Sequence, residues 1–380
     1  MADATYAKGL EGVIAAESSI SKVDGENGRL YYLGYSISDL VANCDFEEVT
    51  YLLLYGELPN VSELEEFRTK MRNSRELSDP IVRMIREFPP KAKPMELLQS
   101  SVAYLSGYVE HSIQHSGTCN CRQTLHQVVQ LTGVVAGLSR LRAGKQYIPP
   151  RTDLSHGANF LYQLHGEEPD EFEGKIMDDA LILHAEHGFN ASTFTARVVA
   201  STISTCYSSI SAAIGALYGS LHGGANEKAM IMVEEIGDKS KAADYVNKVI
   251  DDHGKIMGMG HRVYKAKDPR AVIMEDYLLK LSKRKNDTRY YDILKEAEMV
   301  FRGRMEEKGK PIYPNVDFFS GAVYSLLGIP KDLFTPIFAM SRVSGWLAHI
   351  LEQREDNRLF RPKALYVGHG PREFAPIENR

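Results

Sequence analysis

Apolar residues recur at three- and four-residue intervals along most of this chain, the spacing that turns one face of a helix toward a core. The pattern predicts helices over 97–109, 123–141, 176–187, 227–236, 244–253, 271–281, 291–305 and 333–351. Ser62 and Glu65 read as a capping box, in which each side chain bonds the other's free backbone N–H. Strict alternation, the mark of a half-buried strand, is scarce. Arg29 to Ser36, around Tyr31, Tyr32 and Tyr35, is the best strand or hairpin candidate. No βα repeat or internal repeat is visible. Residues 191–220 are rich in Ala, Ser, Thr and Gly and poor in charge. Small side chains let helices approach closely, so this stretch predicts a deeply buried helix pair. Its hydroxyls and Arg197 argue against a membrane helix.

The expected class is mainly α, with a small hairpin near the N-terminus. A chain of 380 residues exceeds one small core, so two domains, or one large domain with an insertion, are expected. Composition adds exclusions. At 43% hydrophobic and 25% charged residues, the chain reads as an ordinary soluble globular protein. A net charge of -5 speaks against binding nucleic acid through bulk electrostatics, so any anion site must be a local basic cluster. No apolar run reaches the roughly eighteen residues that a membrane span needs. Met1 to Leu10 lacks the basic stretch and apolar block of a signal peptide. Four cysteines do not make a disulfide framework, and they fit a reducing cytoplasm.

Chemistry concentrates in three places. The first is Leu221-His222-Gly223-Gly224-Ala225-Asn226. Its glycines permit close backbone approach by a ligand. The helix that follows disfavours imidazolium, so His222 can stay neutral and donate to a developing oxyanion. A plain turn histidine would look the same.

The second is Lys255 to Arg270, where Lys255, Arg262, Lys265, Lys267 and Arg270 gather around Gly258, Gly260 and His261. Within an acidic protein this is a local anion attractor, with cations suited to phosphates and carboxylates. A solvated basic loop is the alternative. Gly258-x-Gly260 lacks the third glycine and preceding strand of a dinucleotide fingerprint.

The third is Tyr313 to Gly321, where Asp317 lies among apolar and aromatic residues. Desolvation would raise its pKa and make it a better base. A helix N-cap aspartate is the ordinary alternative. Arg342, inside an apolar helix, wants an anionic partner. His111, His115, Cys119, Cys121 and His126 crowd one stretch, but Cys-x-Cys is not a usual finger spacing and metal binding is not expected.

Taken together, His-Gly-Gly-Ala-Asn, Gly-x-Gly-His-Arg-Val-Tyr-Lys…Asp-Pro-Arg and Pro-Asn-x-Asp-x-x-Ser-Gly resemble the citrate synthase family, in that family's order and at similar intervals. The likeness runs from Lys8-Gly9-Leu10 to Tyr366-Val367-Gly368 and looks most like the compact dimeric bacterial and archaeal branch. It implies a two-domain multi-helical fold. The large domain would hold 1–221 and 326–380, and a small mobile domain 222–325. It implies that His222 polarises the acyl-CoA carbonyl, Asp317 takes the α-proton and His261 protonates the oxaloacetate ketone. His187, in His-Ala-Glu-His-Gly-Phe-Asn, matches the oxaloacetate-binding histidine. Arg270, Arg342 and Arg361 match the carboxylate-binding arginines, Arg361 coming from the other subunit of a homodimer. Lys255, Ile256, Met257, Gly258 and Met259 match the segment holding the CoA adenine, and Lys265 a CoA-phosphate cation. Acyl-CoA would be a co-substrate, with no permanent cofactor and no metal.

The resemblance implies condensation of acetyl-CoA with oxaloacetate, giving citrate and CoA in the cytoplasm. A 2-methylcitrate synthase using propionyl-CoA would carry the same catalytic residues, and residues 187–197 resemble both subgroups. One methylene is worth only about 1–3 kcal/mol of discrimination. A thioester-cleaving serine hydrolase is disfavoured because no Gly-x-Ser-x-Gly elbow occurs. A non-catalytic CoA-binding protein is disfavoured by the intact His222, His261 and Asp317.

Overall fold

A computed structural model describes residues 6–108 and 125–380. His111, His115, Cys119 and Cys121 therefore lie outside the described residues. Near the N-terminus, β1 (Ser21–Asp24), β2 (Arg29–Tyr32) and β3 (Tyr35–Ser36) form one antiparallel sheet, with Ser21 opposite Tyr32 and Tyr32 opposite Tyr35. The hairpin was legible around its tyrosines. Strand β1, with little alternation, was not.

The rest is helical: α1 (Ile37–Asn43), α2 (Phe46–Tyr55), α3 (Val61–Asn73), α4 (Asp79–Glu87), α5 (Pro94–Leu105), α6 (Leu125–Arg142), α7 (His156–His165), α8 (Glu171–Ala185), α9 (Ala191–Ser201), α10 (Cys206–Tyr218), α11 (Ala225–Ile236), α12 (Lys239–Asp251), α13 (Pro269–Arg284), α14 (Arg289–Glu306), α15 (Val316–Leu326) and α16 (Phe334–Glu355). Among the described residues no helix is long and apolar enough to cross a membrane.

Helix α16 is the axis of the larger layer. It is buried on nearly every side, from Phe334 to Ile350, and packs on α2, α6, α8, α9 and α10. The small-residue stretch forms the expected pair: α9 and α10 lie against each other, α10 also meeting α5. Helices α11 to α15 pack mainly among themselves, with α13 on α15 and α12 on α14.

One expectation needs correction. The capping box is at Asn60 and Glu63, not Ser62 and Glu65. Asn60 Oδ1 accepts the Glu63 N–H at 3.0 Å and Glu63 Oε2 accepts the Asn60 N–H at 2.8 Å, so α3 starts earlier than a serine rule suggests. Cys44 is a free thiol. One glycine of each loop motif, Gly223 and Gly258, admits the protein's own backbone, whereas Gly224 and Gly260 meet none. A Cβ on Gly223 would lie 2.1 Å from the Leu217 carbonyl oxygen, and one on Gly258 2.6 Å from Phe318 Cα.

Candidate active site

The loop carrying His261 and the start of the helix carrying Asp317 are stitched together by backbone. Met259 pairs with Pro314 in an isolated antiparallel bridge. Gly260 donates to the Tyr313 carbonyl at 2.8 Å, and Asn315 to the Gly258 carbonyl at 2.9 Å. The Asn315 amide closes the seam on the Gly260 carbonyl at 2.8 Å. Such close apposition requires a glycine at 258, which also holds a left-handed φ of 76°.

Asn315, not Asp317, is the N-cap of α15, and its side chain accepts the Asp317 N–H at 2.9 Å. The capping duty at the start of this helix is thus performed by another residue. No hydrogen bond or ion pair from the described residues reaches the Asp317 carboxylate. Burial pushes its pKa up to about 6, with Arg270 and Arg342 opposing and Asp268 adding to the rise.

His222 and Asp317 line one narrow cleft with Gly223, Gly224, Ala225, Asn226, Thr335 and Phe338. His222 precedes α11, whose N-cap is Gly224. The Ser192 backbone N–H points at His222 Nε2 across 3.2 Å, so that nitrogen is an acceptor and the neutral ring carries its proton on Nδ1. The Ser192 hydroxyl lies 2.8 Å from the same nitrogen and accepts from Trp346 Nε1 at 3.3 Å. Burial, then Arg342 and Arg262, pull the His222 pKa down to about 4.

His261 has the opposite tautomer. Its Nδ1 accepts the Val263 and Tyr264 backbone N–H groups at 3.0 and 3.2 Å, leaving the proton on Nε2. Burial and then Arg270 pull it down to about 4. His187 meets His261 edge to face at 5.1 Å between ring centroids. The Tyr264 ring touches both, and its hydroxyl lies 3.1 Å from His187 Nε2. Burial, then Arg270, hold His187 well below the ordinary imidazole value.

The arginines divide into three situations. Arg270 is buried and forks onto Asp268 at 3.0 and 2.7 Å. Arg342 is buried, donates through Nε to the His184 carbonyl at 2.7 Å, and lies over the Phe338 ring. Among the described residues it forms no ion pair, and burial pulls its pKa down to about 10. Both cations act electrostatically on His187 and Asp317, Arg342 also on His222 and Arg270 on His261, which places the two histidine groups in one field. Arg361 is exposed, on the wall of a separate groove with Phe194, Arg197 and Phe360.

Lys255, Ile256, Met257, Gly258 and Met259 line a cleft of about 620 Å³ that reaches His261 and Tyr264. Its opposite wall, Phe301, Met305, Lys308, Ile312 and Tyr313, was not anticipated, because nothing in the sequence links those positions to residues 255–259. The basic cluster is less free than its composition suggests. Lys265 is exposed and paired with Glu26, and Lys267 is paired with Glu275 and Glu298. Ser192, Asn226, Tyr264, Thr335 and Phe338 were likewise unassigned; the first three stood inside motifs already singled out.

Comparison with known proteins places this geometry in context. Residues 9–363 match the family model described as citrate synthase, C-terminal domain. A citrate synthase of Deinococcus radiodurans is 43% identical, over 98% of this chain and 99% of the relative. A 2-methylcitrate synthase of Shewanella oneidensis is 40% identical, over 98% of this chain and 97% of the relative. The structure of citrate synthase from Thermoplasma acidophilum, in ternary complex with carboxymethyl coenzyme A and oxaloacetate, is 34% identical with a TM-score of 0.91, over 98% of this chain and 99% of that one.

Proposed function

This chain belongs to the citrate synthase family, and from that premise we propose that it condenses acetyl-CoA with oxaloacetate and hydrolyses the resulting thioester to citrate and CoA. The observation that carries the reading is that His222 and Asp317 share one cleft, while the seam at Met259 and Pro314 ties the loop that carries His261 to the start of the Asp317 helix.

Asp317 takes a proton from the acyl α-carbon, and the electron pair moves onto the thioester oxygen. His222 Nδ1–H stabilises that oxygen without first having to lose a proton elsewhere. The carbon attacks the oxaloacetate ketone, whose oxygen is protonated from His261 Nε2. Water then cleaves the thioester, releasing CoA and citrate. His187, Arg270 and Arg342 bind the two carboxylates, and the unpaired charge on Arg342 is the strongest support for that role. The cleft along Lys255 to Met259 takes the CoA adenine. Lys265 as a phosphate contact would have to leave Glu26.

Residues 222–325 act as the mobile domain over a larger domain of 1–221 and 326–380, which fits the separate packing of α11 to α15. The protein works as a cytoplasmic homodimer in which Arg361 completes a neighbour's site. The exposed C-terminal stretch, with Leu365, Tyr366, Val367 and Phe374 in water, supports a second copy as its cover. Propionyl-CoA, giving 2-methylcitrate, is the alternative co-substrate, supported by the relatives of that name.

The test is thiol release from acetyl-CoA and from propionyl-CoA, each with and without oxaloacetate. Release that needs oxaloacetate supports condensation, and the better acyl donor names the product. Release without oxaloacetate would overturn the reading in favour of hydrolysis.

A further inference from the structure

Asn226 is 2% exposed and lies at the start of α11, four positions beyond His222. Its Oδ1 accepts the Glu227 backbone N–H at 2.9 Å. That bond settles which end of the amide is oxygen, since a backbone N–H can only donate. The other end, Nδ2, is buried and has no hydrogen-bond partner. A buried amide donor left unpaired costs roughly 1–3 kcal/mol, so it calls for an explanation, and its place in the cleft offers one. Asn226 lines the cleft that His222 and Asp317 also line. Its backbone is fixed as well: α15 presses so close that a Cβ on Gly321 would lie 2.7 Å from the Asn226 carbonyl oxygen.

An acyl group entering this cleft brings one carbonyl oxygen that becomes negative as Asp317 takes the α-proton. A carbonyl oxygen has two lone pairs, and His222 Nδ1–H can satisfy only one. We propose that Asn226 is a further catalytic residue, whose Nδ2–H donates to the developing enolate oxygen beside His222. Asn226 exchanges no proton in this step: the α-proton goes to Asp317 and the charge on oxygen is held by two neutral donors. Neutral donors suit the site, because a cation there would itself be costly to bury. This assignment rests on the condensation reading given above.

Two variants test it. Asn226→Leu removes both polar ends at similar volume. Asn226→Asp keeps the oxygen that caps Glu227 and removes the Nδ2 donor. Both are expected to fold, to retain the rise in Tm given by oxaloacetate, and to lose kcat by on the order of 100-fold with little change in KM for oxaloacetate. The Asp variant is read on the alkaline plateau of its pH profile, where its added charge no longer keeps Asp317 protonated. A folded Leu variant with wild-type kcat overturns the assignment. So does an Asp variant that regains wild-type kcat on that plateau, which covers the case of a Leu variant that fails to fold. The wild type, assayed alongside, separates the two levels. If it condenses oxaloacetate while the variants keep their kcat, only Asn226 is wrong. If it shows no oxaloacetate-dependent release, the condensation reading falls too.

Discussion

The backbone N–H of Ser192 meets Nε2 of His222 at 3.2 Å, and this one bond decides which ring nitrogen carries the proton. A backbone donor cannot reverse its role, so His222 offers a neutral Nδ1–H. With its pKa pulled down to about 4, it stays neutral throughout the physiological range. His222→Ala should therefore lower kcat by roughly 100- to 1,000-fold while leaving oxaloacetate binding intact. Steady-state kinetics with calorimetric oxaloacetate binding check both halves. A variant within twofold of wild-type kcat removes His222 from the chemistry.

Asp317 makes a prediction with two signs. Its pKa is raised to about 6, so the carboxylate base is lost as pH falls through 6, and kcat/KM should drop tenfold per pH unit below that point. The linkage runs the other way. A group with a raised folded pKa contributes stability that is present below its unfolded value and lost as pH rises through the folded one. Asp317→Asn should thus abolish turnover yet melt a few degrees higher than wild type at pH 8, the difference shrinking toward pH 4. Equal Tm values at both pH extremes would contradict a desolvated carboxylate.

Arg342 keeps a buried charge with no ionic partner among the described residues. Arg342→Gln is expected to raise KM for oxaloacetate by at least about tenfold, because a charge-assisted bond worth roughly 1.5–3 kcal/mol is lost. It should not lower Tm in the absence of substrate, since the costly charge goes with it. At the same concentration, oxaloacetate should raise the Tm of the wild type more than that of the variant. An unaltered KM would place the substrate carboxylates elsewhere.

Gly258→Ala tests the seam between the His261 loop and α15. The added Cβ would sit 2.6 Å from Phe318 Cα, at a φ of 76° that alanine resists. A loss of more than about 2 kcal/mol in urea unfolding is expected, with a raised KM for acyl-CoA. Wild-type stability would mean that the seam yields freely.

Arg361 and Asp317 give a complementation test. If Arg361 acts in a neighbour's site, mixing inactive Asp317→Ala and Arg361→Ala chains after unfolding and refolding should restore about a quarter of wild-type activity, from one intact site per heterodimer. No recovery, with mixed dimers demonstrated, would return Arg361 to its own chain.

Local signals determined a good deal. The 3.6-residue period announced eight of the sixteen helices named above, because burial of one face writes itself into every third or fourth position. Even in α16, which is buried on nearly every side, apolar residues at helical spacing over 333–351 announced the helix, and the lone Arg342 within it stood out as a charge in want of a partner. The three motifs announced His222, His261 and Asp317, because glycines, imidazoles and a carboxylate in apolar company are unusual side by side. Tertiary structure decided the rest. Which nitrogen of each histidine is protonated depends on Ser192 for His222 and on the fold of the Val263–Tyr264 turn for His261. That Lys265 and Lys267 are paired, that Arg342 is not, and that Asn226 Nδ2 has no partner depend on side chains distant in sequence. Contacts of that kind leave no periodicity to read, because they are fixed only when packing brings separate helices together.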